Sequence, residues 1–120
     1  MPKNLEVLAK ETAASHAMMN SPVNFICVLL TSYASGKITL PELAARFRRT
    51  NRDAQFYFSH MPEEDIEMNK KLFRKEFVLA DNLMDILLDR PIGRDDKESI
   101  DSRIAESLTQ YLDSVRENGG

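Results

Sequence analysis

Between Pro62 and Asp89, apolar residues fall at Ile66, Phe73, Phe77, Ala80, Met84 and Leu87. Their intervals average about 3.5 residues and trace one side of an α-helix. Leu72, Leu79, Leu83 and Ile86 widen that line into a broad stripe. A helix with such a stripe must bury it against other packed elements, which constrains the rest of the chain. The remaining segments offer helices for that purpose and no convincing strand.

Asn4 is placed to cap a first helix, with Leu5, Val7, Leu8 and Ala9 beginning its apolar face and an expected end near Met19-Asn20. Ser21 and Pro22 then form a helix start, because proline's missing N–H costs nothing at the first helical position. Val23, Phe25, Ile26, Cys27, Val28, Leu29 and Leu30 surround the axis of this second helix and predict a central, buried element. A strand is the rival reading of these residues, but the Ser-Pro start and the stop at Gly36 favour a helix. Thr39 and Glu42 have the spacing of a capping box for a helix from Leu40 to about Arg48, with Leu43, Ala44 and Phe47 inward. Thr50 or Asn51 is expected to cap a short helix through Ala54, Phe56, Tyr57 and Met61. Pro62 opens the long helix, and Arg90-Pro91-Ile92-Gly93 closes it. Asp95 or Asp96 starts a last helix with Ile100, Ile104, Leu108, Tyr111, Leu112 and Val115 on one side. The fold class is therefore all-α, a compact helical bundle of five main helices plus a short one. At 120 residues the chain is expected to form a single domain over residues 1–117, with a short tail at 118–120.

Composition narrows the function. The longest apolar run, Phe25 to Leu30, is far too short to span a membrane, and the first residues lack the pattern of a secretory signal. The single cysteine, Cys27, excludes an internal disulfide, and together these features favour a cytoplasmic setting. The net charge of −3 conceals a segregation. Residues 37–61 carry five basic and two acidic residues, whereas residues 62–89 carry four basic and eight acidic. Arg46, Arg48, Arg49 and Arg52 cluster in the first segment. Asp81, Asp85 and Asp89 recur every four residues in the second, a same-sign ladder that also opposes the dipole at a helix C-terminus. Such a ladder invites a basic partner, from this chain or another; an ordinary solvated face is the bland alternative.

No catalytic constellation is found. Cys27 sits among Ile26, Val28 and Leu29, where burial disfavours a thiolate. His16 and His60 have no ligand at metal-binding spacing, and the acids Glu63, Glu64, Asp65 and Glu67 are accounted for by the helix dipole. No glycine-rich phosphate loop is present, so no metal, cofactor or enzymatic activity is expected. Thr31 to Glu42 resembles a calcium-binding EF-hand loop at Gly36, Ile38 and Glu42, but Thr31 and Tyr33 replace the first two oxygen-ligand positions, and calcium binding is not expected.

Phe56 and Phe58 are about 200° apart on a helix, so with Tyr57 between them the three aromatics cannot share one buried side. The first expectation is accordingly a non-enzymatic protein-interaction module, an adaptor, inhibitor or regulatory subunit. Its partner-binding residues are Phe56, Tyr57, Phe58, Met61, Asp81, Asp85 and Asp89, and homodimerisation through the long helix is a further option. The alternative starts from residues 40–58, which resemble a helix-turn-helix of the DNA-binding kind. Leu43, Ala44 and Phe47 match its first helix and Ala54 and Tyr57 its second, while Arg48 and Arg49 depart from its turn. That resemblance implies a DNA-binding regulator contacting nucleic acid through Arg46, Arg48, Arg49, Arg52 and Gln55.

Overall fold

A computed structural model describes residues 4–119, with the side chains of Arg94 and residues 117–119 excluded. Met1 to Lys3, at the start of the stretch read for a secretory signal, and Gly120 of the expected tail lie outside the described residues. The described residues form α-helices and one 3₁₀ turn, with no strand.

Helix α1 spans Leu5–Ala13, and Asn4 caps it, its side chain accepting from the Val7 N–H at 2.8 Å. It does not continue to Asn20 as expected. Ser15 adopts an extended backbone and restarts the chain as α2, His16–Asn20, its hydroxyl accepting from the Met18 N–H. The same Ser15 hydroxyl pairs with the Tyr111 phenol at 3.2 Å, a long-range contact that outweighs the helical propensity of the surrounding alanines. Ser21 does not cap the following helix either. Its hydroxyl donates backward to the Met18 carbonyl at 2.8 Å, and α3 begins only at Phe25, running to Ala34. This helix is not enclosed all round: Ile26, Cys27, Leu30 and Tyr33 are buried, but Val28 is 67 % exposed.

Gly36 ends α3 at φ +83°, with its N–H bonded to Tyr33 and the Lys37 N–H bonded to Ser32. These two bonds are the paired 5→2 and 6→1 closures of a Schellman motif, which a left-handed glycine permits. The capping box at Thr39 and Glu42 then opens α4, Leu40–Ser59. Here the expected short helix does not form separately, because α4 continues without a break through Thr50 and Asn51. The long helix divides instead. Helix α5 spans Glu63–Leu72, α6 spans Arg74–Leu88, and Phe73 between them leaves helical geometry at φ −118°, ψ 35°. Upstream of Phe73 only Ile66 and Asn69 of α5 are partly covered, so the bend sacrifices no core contact. A 3₁₀ turn, Arg94–Asp96, leads into α7, Lys97–Gly119, whose helical backbone passes the expected end at 117.

The core joins α1, α2, α3, α4, α6 and α7 around Met18, Ile26, Leu43, Phe47, Leu83, Ile104 and Leu108, each no more than 1 % exposed. Helix α7 packs on α6 and α1, α1 on α3, α3 on α4, and α4 on α6. Helix α5 buries no residue and rests mainly on α6. The molecule has a flattened outline of 43 × 34 × 21 Å. No helix among the described residues is long and apolar enough to cross a membrane.

Candidate interaction surface

Helix α4 is divided by its environment. Leu40, Leu43, Ala44 and Phe47 are buried, and after Phe47 the remaining twelve residues of the helix include none that is. At the rise of an α-helix this outer half extends about 18 Å. Thr50, Asn51, Ala54 and Phe58 continue the inward line and are only half-covered. The outer half and α5 together form an arm supported from one side. A cleft of about 290 Å³ separates them, lined by Gln55, Phe58 and Ser59 of α4, Ile66, Asn69 and Lys70 of α5, and Phe77 of α6.

The three aromatics anticipated as partner-binding divide as their helical angles require. Phe58 turns inward and meets Phe77 edge-on, ring centroids 6.0 Å apart. Phe56 and Tyr57 are 69 % and 65 % exposed. The His60 ring lies 4.5 Å from that of Phe56, and its Nδ1 is 2.9 Å from the Phe56 carbonyl oxygen, which fixes the aromatic at the end of the helix. Met61 is half-buried at the turn into α5. On α5, Met68 and Leu72 are one helical turn apart, both exposed, and they belong to the same arm. Leu72 counts toward the broad stripe expected of an unbroken helix, and Met68 lies outside that stripe, so periodicity selects neither as exposed surface.

The charged clusters are exposed. Arg46 pairs with Glu42 of its own helix at 3.8 Å. Arg48, Arg49 and Arg52 form no ion pair among the described residues, nor do Asp81, Asp85 and Asp89. Among the described residues, then, none of these arginines makes an ion pair with α5, α6 or α7. Arg48 and Arg49 also lie within an uninterrupted helix, so the turn required by a helix-turn-helix is absent and Gln55 continues the same rod. The aspartates occupy the outer side of α6 in line with Val78, itself 53 % exposed.

A second polar cluster lies inside the fold. Glu76 is 2 % exposed, and one of its carboxyl oxygens accepts a hydrogen bond from the Tyr111 phenol, which also contacts Ser15. Burial and then the Glu76 contact raise the Tyr111 pKa well above the ordinary phenol value. A comparable pair, the Tyr33 phenol donating to Asp101, lies beside the Lys97 ammonium, and the Tyr33 pKa is pushed up to about 12, chiefly by burial. Burial also raises the Cys27 thiol to about 11, which withdraws it from nucleophilic chemistry near neutral pH. The signal for Glu76 was present in the sequence as a lone acid amid Phe73, Phe77, Leu79 and Ala80.

Among the described residues, no group of three or more histidine, cysteine, aspartate or glutamate side chains is arranged to hold a metal ion. Compared with protein-family models, curated proteins and solved structures, the chain has no significant match. Functional assignment therefore rests on the geometry of this surface.

Proposed function

We propose that the protein is a non-enzymatic interaction module that receives another protein on the arm formed by the outer half of α4 and by α5. The observation carrying this reading is the continuation of α4 beyond Phe47, with Phe56 and Tyr57 exposed at its end and Met68 and Leu72 exposed on the adjacent helix. Aromatic and methionine side chains are enriched at the centres of protein interfaces, and an apolar patch rimmed by charge is the usual form of such a site. Duplex DNA is the weaker partner for this surface, because Arg48 and Arg49 lie inside one continuous helix, with no turn there to set a separate reading helix in a groove.

A photo-crosslinking residue substituted for Tyr57 tests the assignment in cells. Discrete adducts are expected at position 57, lost on Met68→Ser with Leu72→Ser, and absent when the same photo-residue replaces Thr109 on the exposed side of α7. An identical adduct pattern at positions 57 and 109 would remove the arm from the interface.

A further inference from the structure

The two unpaired charge clusters have matching layouts. On α4, Arg49, Arg52 and Phe56 fall within about 60° of one another around the helix axis, and Arg48 flanks them. On α6, Val78, Asp81 and Asp85 also fall within about 60°, and Asp89, the C-cap residue, continues their line. In chain direction, the α4 stripe runs from basic to apolar, and the α6 stripe runs from apolar to acidic. Placed antiparallel, they bring Phe56 opposite Val78. Arg52 and Asp81 then lie about 6 and 4.5 Å from that apolar pair, and Arg49 and Asp85 lie about 10.5 Å from it on both helices.

We propose that a second copy of this chain supplies the partner for each stripe, α4 of one molecule lying antiparallel on α6 of the next. The contact covers Phe56 and Val78, which are 69 % and 53 % exposed, and pairs Arg49 and Arg52 with Asp85 and Asp81. It also relieves the like-charge ladder at the C-terminal end of α6, where no basic residue occupies the last turn. Each contact takes one stripe from each molecule, so the association either closes by symmetry or propagates head to tail. A nucleic acid would cover the arginines but leave the aspartates unpaired, which favours a protein with both charges. The proposal rests on the interaction-module reading only through the exposure of Phe56, and it names one partner.

Sedimentation of the full chain across micromolar concentrations, with paired charge reversals, provides the test. Wild type is expected to self-associate reversibly. Arg49→Glu with Arg52→Glu, and separately Asp81→Arg with Asp85→Arg, should each weaken association at least tenfold while retaining the wild-type helical circular dichroism. Mixing the two variants should restore assembly, since each then meets an opposite charge at both stripes. A wild-type chain that stays monomeric overturns the proposal, as does assembly indifferent to both reversals. Binding of duplex DNA by the arginine stripe without self-association would also overturn it, in favour of nucleic acid. If the chain is monomeric but crosslinks at position 57 persist, self-pairing fails and the heterotypic module stands; loss of those crosslinks as well removes both.

Discussion

The phenol of Tyr111 on α7 donates its proton to the buried carboxyl of Glu76 on α6, and Ser15 completes the contact from the start of α2. Three segments distant in sequence thus meet at one polar point inside an otherwise apolar core. A buried polar atom deprived of its partner costs about 1–3 kcal/mol. Tyr111→Phe is therefore expected to destabilise the fold by about that amount. Glu76→Gln, which keeps an acceptor oxygen in place, should cost less; urea unfolding of both variants distinguishes the two. Equal losses would show that packing, rather than the hydrogen bond, sets the cost.

Alkaline stability follows from the phenols. The Tyr33 pKa is raised to about 12, and that of Tyr111 moves in the same direction, so between pH 10 and 12 the folded state retains protons that an unfolded phenol releases. The unfolded state then binds fewer protons, and stability falls as pH rises through that window, being fully present below about pH 10. Tyrosinate absorbance during a pH titration should show late-ionising groups that disappear singly in Tyr33→Phe and Tyr111→Phe.

Cys27 should resist modification in the native protein. Its thiol is buried and raised to about 11, so a thiol-specific disulfide reagent at pH 8 is expected to label it only as the chain unfolds. Stoichiometric labelling of the folded protein within the mixing time would contradict this burial.

The junction between α3 and α4 depends on two separable devices. Gly36→Ala places a side chain at φ +83° where no atom lies within 4 Å of the new Cβ, so its cost is purely conformational, about 1–2 kcal/mol. Thr39→Ala removes the hydroxyl that accepts from the Glu42 N–H at 3.3 Å and should cost about 1 kcal/mol. The positions are only three residues apart, so the double variant measures whether the costs add.

Hydrogen exchange should divide α4 at Phe47. Amides of residues 44–47 are expected to exchange only with deep opening, whereas those of 50–59 and of α5 should exchange through local fraying. Uniform protection along α4 would mean that the outer half is held by more than its inward line.

The all-helical class, the Asn4 cap, the Gly36 stop and the capping box at Thr39 and Glu42 were legible because each depends on neighbouring residues. The structure departs from local expectation where distant contacts decide. Ser15 breaks the first helix and bonds to Tyr111, ninety-six positions away. Phe73 interrupts a periodic stripe without proline or glycine, and periodicity alone cannot show that the stripe's first part lacks a surface to cover. Thr50 and Asn51 have the residue types of a helix start, yet both lie within α4, half-covered on its inward line. At the candidate surface, angular spacing requires that Phe56, Tyr57 and Phe58 not share one buried side, but which of them are exposed is set by the packing of Phe58 on Phe77. The contribution of Met68 and Leu72 does not follow from spacing, since it depends on the bend at Phe73.

An arm so weakly supported by the core also changes what its recognition requires. Residues 48–59 form a helix of a length that is marginal in isolation, so the docking proposed for this arm would spend part of its energy holding that helix in place. Affinity and helicity then become linked. Substitutions that touch no partner atom, and only stiffen the rod beforehand, would tighten binding by reducing the entropy lost on contact.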